Sequence, residues 1–262
     1  GTSDAEALPP AAEKILRMSM RLALLCTLAT SVTAVRRVLI TGANKGIGLQ
    51  ICKKVVETVP DAHVLLCSRS APRGEAAVKA VLASEPTAAG RVEMLQLDVT
   101  DDDSVAAAVE AVKAKYPDEP TPLFAVCNNA GIGFGRSIPE TLATNFYGTV
   151  KVSEAFTPLL DPASGRICNV ASASGPMFVT GLDDASVFTS RSTTWEELEA
   201  EVNRYAAVSD YEGIAYGLSK AAVNAWTMQY AARHPNLRVN SCSPGYILTD
   251  LTRGMGATNP PE

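Results

Sequence analysis

The feature that most constrains the fold is a glycine-rich turn between a short apolar run and a helical segment. Residues 38–40 are apolar, and from residue 47 to 59 apolar side chains recur on one helical stripe. The turn supplies Gly42, Asn44, Lys45, Gly46, Ile47 and Gly48. Glycines there let the backbone turn sharply and approach a phosphate at the helix N-terminus. The pattern predicts the first strand, turn and helix of a nucleotide-binding unit.

The rest of the sequence repeats this alternation of strand and helix. Further strands are predicted near residues 63–67, 92–97, 123–127, 166–170 and 237–242, and helices near 74–83, 103–116, 141–160 and 214–233. Such alternation is typical of a doubly wound parallel sheet with helices on both faces. We therefore expect one α/β domain over residues 35–262.

One long interruption breaks this regularity at residues 176–212, where no strand is predicted. Inside it, Thr194 and Glu197 have the spacing of a capping box at a helix N-terminus. Four apolar residues then share one helical face, namely Trp195, Leu198, Val202 and Tyr205. The interruption is therefore interpreted as an insertion that contains a stable amphipathic helix.

Composition limits the partners of the chain. With 23 basic and 28 acidic side chains the net charge is −5, so nothing attracts the whole chain to nucleic acid or to an anionic membrane. The six cysteines form no Cys-x-x-Cys pair and only two histidines accompany them, so we expect no metal site. We expect the thiols to be free and buried in a reducing compartment.

The N-terminal residues 1–34 are interpreted as an extension of the domain. Residues 22–35 carry no charge and lie between Arg21 and Arg36, but this run is too short to span a bilayer. A surface helix or a disordered extension of a cytoplasmic protein is favoured. The alternative is a secretory or organellar targeting segment over residues 18–34, with residues 32–34 resembling a cleavage site.

The end of the second predicted strand carries information on the nucleotide. An acidic residue at this place would bind the ribose hydroxyls of NAD, but Ser68 occupies it and Arg69 follows, with Arg73 one turn away. Guanidinium groups pair with a 2′-phosphate, and Lys45 in the glycine-rich turn adds a third positive charge. NADP(H) is the predicted cofactor, and ordinary surface arginines are the alternative.

Further residues follow the later strands. Asp98 and Val99 end the third strand, and the carboxylate is expected either to contact adenine or to cap the following loop. Asn129, Ala130 and Gly131 end the fourth strand, where small residues and amides permit close packing against a flat cofactor. This second motif is expected to serve the sheet as much as the ligand.

The candidate reactive groups are Tyr216 and Lys220, four residues apart at the start of a predicted helix. Residues at this spacing share one helix face, so an ammonium lies beside the phenol. Together with the positive nicotinamide ring of the oxidised cofactor, it is expected to lower the pKa of the phenol. Ser172 follows the fifth strand, and Asn145 lies in the helix after the fourth. Taken singly, Ser172 and Asn145 would be interpreted as loop or capping residues.

Taken together and in this order, these motifs resemble the short-chain dehydrogenases/reductases over residues 36–258, and within them the monomeric carbonyl reductases. The resemblance rests on the glycine-rich turn, residues 128–131, Ser172, Tyr216 with Lys220, and residues 243–250, which include Pro244, Gly245 and Thr249. It implies a Rossmann-type fold, NADP(H) as cofactor, and reduction of a small-molecule ketone, aldehyde or quinone to the alcohol.

The resemblance also implies roles for the four reactive residues. Tyr216 is the general acid, Ser172 positions the carbonyl oxygen, Lys220 holds the nicotinamide ribose, and Asn145 anchors a water that links Lys220 to solvent. Family members usually continue beyond Thr249 into a further helix and a seventh strand, which we expect to be missing here. The alternative function is therefore a weak or inactive nucleotide-binding scaffold. We expect a monomer, because the 176–212 insertion would cover the helices through which many relatives pair.

Overall fold

The structure, a computed structural model, describes residues 35–208, 214–245, 247–250, 252 and 257–259. The chain divides into Gly1–Val35 and Arg36–Glu262, and the second unit contains the strands and helices described below. The candidate targeting segment at residues 18–34 lies outside the described residues. Within the part of the chain that is described, no helix is both long and apolar enough to cross a bilayer.

The described strands form one parallel six-stranded sheet. The strands are β1 (Arg36–Ile40), β2 (Ala62–Ser68), β3 (Val92–Gln96), β4 (Ala125–Asn128), β5 (Arg166–Val170) and β6 (Arg238–Cys242). Their spatial order is β3-β2-β1-β4-β5-β6, so the direction of winding reverses between β1 and β4. Ligands of such sheets bind at this switch point, beyond the carboxyl ends of the strands. The predicted doubly wound α/β fold is confirmed.

The helices connect the strands and flank the site. They are α1 (Gly46–Thr58), α2 (Ala71–Ser84), α3 (Asp102–Lys115), α4 (Ile138–Leu142), α5 (Gly148–Phe156), α6 (Ser174–Thr180), α7 (Ser186–Thr189), α8 (Trp195–Val208) and α9 (Ala215–Arg233). The single helix predicted over residues 141–160 is not continuous. It consists of α4, a π-helical segment Ala143–Tyr147, α5 and a 3₁₀ turn Thr157–Leu159.

Two apolar layers hold the sheet between the helices. Alternate residues of each strand face opposite layers, so Val126 joins the larger core with α3, α5 and α9, whereas Cys127 joins the smaller core with α1 and α2. Cys52, Cys67 and Cys127 are buried as expected. The expectation is wrong for Cys242, which is exposed because β6 is the edge strand of the described sheet, and Cys168 is only half-buried.

The insertion folds as helices packed on the larger core. Thr194 accepts a hydrogen bond at Oγ1 from the backbone N–H of Glu197, and the Glu197 carboxylate accepts one from the N–H of Thr194. This reciprocal pair is the predicted capping box. Leu198 and Val202 of α8 are fully buried, and the Trp195 ring stacks on Phe146 with centroids 5.8 Å apart.

Candidate active site

The glycine-rich turn lies close against the end of β4. Gly42 and Gly46 have φ values of 61° and 57°, which L side chains rarely adopt. A Cβ on Gly42 would lie 2.8 Å from the Cα of Ala130, and one on Gly48 would lie 2.4 Å from the amide nitrogen of Asn129. Gly48 therefore permits α1 to pack on the sheet, while Gly42 and Gly46 shape the turn itself.

Hydrogen bonds fix the turn to β4. Thr41 Oγ1 accepts from the backbone N–H groups of Asn129 and Ala130, at 3.0 and 2.9 Å. The Asn129 amide donates in return to the backbone carbonyl of Thr41 at 2.9 Å. Asn128 is buried and donates to Ser153 and to Asn169. The amides of this motif thus hold the sheet edge together, as the sequence suggested.

The N-terminus of α1 borders a cleft beyond the carboxyl ends of the strands. Its N-cap residue Lys45 makes no side-chain capping hydrogen bond, and Gly46 and Ile47 both line the cleft. The Lys45 ammonium forms an ion pair with Asp250 at 2.8 Å, which ties the turn to the segment after β6. A phosphate at this helix N-terminus would meet unpaired backbone N–H groups and a nearby positive charge.

The end of β2 has the polarity expected for a 2′-phosphate. Ser68 is buried and exchanges hydrogen bonds with the backbone of Ser70, so its hydroxyl is engaged locally. Arg69 and Arg73 are exposed and line the same cleft. The described residues 68–70 include no carboxylate, and the side chains present fit a phosphorylated ribose.

Asp98 performs the loop-capping role that was one of its two expected roles. Its Oδ1 accepts from the backbone N–H of Thr100 at 3.0 Å and from the Thr100 hydroxyl at 2.7 Å. The residue also lines the cleft, together with Val99. Contact between Asp98 and adenine stays a prediction.

Tyr216 and Lys220 project from the first turns of α9, beside the end of β5. The Lys220 ammonium donates to the carbonyl of Val170 at 2.7 Å and lies 5.7 Å from the centre of the Tyr216 ring. Ser172 follows β5 directly, and its hydroxyl lies within hydrogen-bond reach of Ser174. The structure therefore brings together the phenol, the ammonium and the serine hydroxyl that the sequence singled out.

Burial dominates the protonation of both groups. It lowers the pKa of Lys220 to about 8, because only 5% of this residue is exposed and the charged form is poorly solvated. It raises the pKa of Tyr216, and a hydrogen bond with Ser172 partly opposes the rise. The expected lowering of the Tyr216 pKa by Lys220 together with an oxidised cofactor stays a prediction. The sequence could not reveal how deeply the phenol is buried.

Asn145 lies in the π-helical segment and supports the wall of the cleft. Its Oδ1 accepts from the backbone N–H of Ile132 at 2.8 Å, and its amide donates to the Ile132 carbonyl at 3.0 Å. A Cβ on Gly131 would lie 3.3 Å from Asn145 Oδ1 and 3.8 Å from Lys220 Nζ, so the three residues are neighbours. The π-helical turn adds one residue to the helix and so places Asn145 there. Its role in holding water stays a prediction.

These groups line one cleft of about 840 Å³. Of the predicted site residues, the cleft includes Gly42, Asn44, Lys45, Gly46, Ile47, Arg69, Arg73, Asp98, Val99, Asn129, Ala130, Gly131, Ser172, Tyr216, Lys220, Pro244, Gly245 and Thr249. Gly48 and Asn145 do not line the cleft and lie behind the residues that do.

Sequence reasoning missed several lining residues, among them Phe134, Arg136 and Leu248. The Phe134 ring lies 4.7 Å from the ring of Tyr216, and 46% of the residue is exposed. Its position six residues after Asn128, in the loop that leaves β4, was the available signal. An aromatic and an aliphatic side chain at the mouth give the cleft an apolar rim beside its reactive groups.

Comparison with known proteins agrees with this geometry. Residues 36–183 match the family described as short chain dehydrogenase. The NADPH carbonyl reductase 1 of Homo sapiens is 32% identical over 251 residues, which cover 86% of each chain. The chain therefore belongs to the short-chain dehydrogenase/reductase family.

Other relatives include plant proteins. The (+)-neomenthol dehydrogenase of Arabidopsis thaliana is 30% identical and covers 87% of this chain and 88% of its own. The solved structure of salutaridine reductase from Papaver somniferum superposes with a TM-score of 0.73 at 26% identity, covering 84% of this chain and 89% of that one. Relatives with these names are oxidoreductases, in agreement with the predicted class of enzyme.

Proposed function

We propose that this protein uses NADPH to reduce a ketone, aldehyde or quinone to the alcohol, with Tyr216 as the proton donor. One observation carries the proposal: Ser172, Tyr216 and Lys220 meet in the same cleft as the glycine-rich turn and the Arg69/Arg73 pair. The human relative named for NADPH and for carbonyl reduction supports both the cofactor and the reaction.

The cofactor, when bound, supplies the hydride, and the protein supplies placement and a proton. Tyr216 carries its proton at neutral pH, since burial raises the pKa of the phenol, and the proton is therefore available for transfer. Ser172 is proposed to donate a hydrogen bond to the carbonyl oxygen. The positive charge of Lys220 stabilises the phenolate that remains after the proton leaves.

Two further groups complete the proposed site. The anchoring of the Lys220 ammonium to Val170 fixes its position beside the phenol. Asn145 is proposed to hold the water that connects Lys220 with solvent, since both side chains lie close to Gly131. Arg69 and Arg73 are proposed to pair with the 2′-phosphate of NADPH.

A panel of ketones, aldehydes and quinones tests the proposal, with NADPH and NADH consumption followed for each. We expect carbonyl-dependent oxidation of NADPH, much slower oxidation of NADH, and a stoichiometric alcohol product. Tight binding of NADPH without turnover of any carbonyl would overturn the proposal and favour the nucleotide-binding scaffold.

A further inference from the structure

Two cysteines on neighbouring strands bring their thiols together near the active site. The Sγ atoms of Cys168 on β5 and Cys242 on β6 lie 3.6 Å apart. In the strand register Cys168 stands opposite Asn240 and Cys242 opposite Val170, so both side chains point to the same face and meet diagonally. The other described thiols of the fold, those of Cys52, Cys67 and Cys127, are buried.

This pair combines proximity with access. Cys242 is exposed and Cys168 is half-buried, so a small reagent reaches Cys242 first and finds the second thiol next to it. β6 is the edge strand of the described sheet and is bonded to a strand on one side only. Since a disulfide needs an S–S length of about 2.0 Å, closing one requires rotation of both side chains and movement of this edge strand.

The pair is also linked to the proposed catalytic lysine. Val170 is the register partner of Cys242, and its carbonyl accepts the hydrogen bond from the Lys220 ammonium. The positive charge of Lys220 favours the Cys242 thiolate, although the hydrogen bond with Cys168 and burial together raise the pKa of Cys242. The fraction of Cys242 present as thiolate, and hence the rate of attack on an oxidant, therefore increases in alkaline solution.

We propose that Cys168 and Cys242 form an oxidisable dithiol site that a peroxide closes to a disulfide. The Cys242 thiolate attacks one oxygen of hydrogen peroxide, breaks the O–O bond and becomes a sulfenic acid, while the other oxygen leaves as hydroxide and is protonated to water. The Cys168 thiol then attacks the Cys242 sulfur, and the sulfenic oxygen leaves as a second water. Two thiols are oxidised and one peroxide is reduced to two waters.

Intact and peptide mass spectrometry test this site without any assay of enzyme activity. The experiment uses the full chain with Cys26→Ser, because Cys26 lies outside the described residues. After hydrogen peroxide we expect the loss of two hydrogens per chain and a peptide pair joined through Cys168 and Cys242. Cys168→Ser and Cys242→Ser should each abolish the crosslink, whereas the matched control Cys52→Ser should retain it.

A second measurement covers variants that fail to fold. The reduced parent protein is mixed with phenylarsine oxide, a trivalent arsenical that needs two adjacent thiols, and the expected result is one molecule bound per chain with Cys168 and Cys242 protected from alkylation. Oxidation of Cys242 to a sulfinic acid without a crosslink, a crosslink through Cys127, or failure to bind the arsenical would each overturn the proposal. Activity with NADPH is a separate readout, so loss of the proposed function leaves this test intact.

Discussion

Ser68 and Arg69 give the clearest prediction at the scale of single residues. The double variant Ser68→Asp with Arg69→Ala should reverse the preference for NADPH, because a carboxylate repels a 2′-phosphate and accepts from ribose hydroxyls. Loss of one charged hydrogen bond costs about 1.5–3 kcal/mol, which is roughly a tenfold to hundredfold change in Kd. Fluorescence titration with both cofactors measures the two Kd values.

The control is Lys79→Ala, an exposed change on the same helix as Arg73 but outside the cleft. Equal affinity of the unmodified protein for NADPH and NADH would refute the assignment.

Lys220 sets a pH dependence for the reaction. Burial lowers its pKa to about 8, so the ammonium loses its proton as the pH rises through that value. Neutral Lys220 no longer stabilises the phenolate, and kcat/KM for carbonyl reduction should therefore fall above that pH. The measurement is a pH profile at saturating NADPH. A profile that stays flat up to about pH 10, the ordinary range of tyrosine and lysine, would contradict this role.

At the scale of elements, the capping box of α8 offers a test of the insertion. Thr194→Ala removes the hydroxyl that accepts from Glu197 and should lower the free energy of unfolding by about 1 kcal/mol. Urea denaturation measures the change. Ser192→Ala is the matched control, since the Ser192 hydroxyl is exposed and shares its hydrogen bond with the exposed hydroxyl of Ser190. Equal stability of the two variants would show that the cap does not stabilise α8 in the folded protein.

The elements also show what local sequence patterns can predict. The strand–turn–helix unit at Gly42 follows from periodicity and glycine placement, which are local properties, and the structure confirms it. The π-helical segment Ala143–Tyr147 was missed, because a 3.6-residue period has no place for one added residue. The pairing of Lys45 with Asp250 and the ring contact of Phe134 with Tyr216 depend on tertiary contacts between distant residues, which spacing does not encode.

At the scale of the whole molecule, the insertion predicts the oligomeric state. α8 packs on the surface formed by α9 and the π-helical segment, with Trp195 against Phe146 and a Tyr147–Asn203 hydrogen bond of 3.4 Å. Because the family resemblance implies pairing through these helices, we expect a monomer in light scattering at micromolar concentration. A tight dimer joined through residues 141–160 and 214–233 would rule this out.

The four candidate reactive residues were singled out from the sequence by their positions after predicted strands and in the helices that follow them. Their protonation was not found, because burial is a property of the whole fold. Lys220 is buried and Tyr216 lies against the Phe134 ring. Neither environment can be inferred from residues near them in the chain. Burial, which raises the pKa of Tyr216, was therefore the contribution that the sequence did not reveal.

The central claim is that Tyr216 donates the proton in carbonyl reduction, and the most direct test is the comparison of Tyr216→Phe with the unmodified protein. Turnover of a carbonyl substrate and the Kd for NADPH are measured on the same two preparations. For Tyr216→Phe we expect a loss of kcat of at least about a hundredfold, the scale of general acid catalysis, with the Kd for NADPH nearly unchanged. Retention of most of the turnover by Tyr216→Phe would contradict the claim.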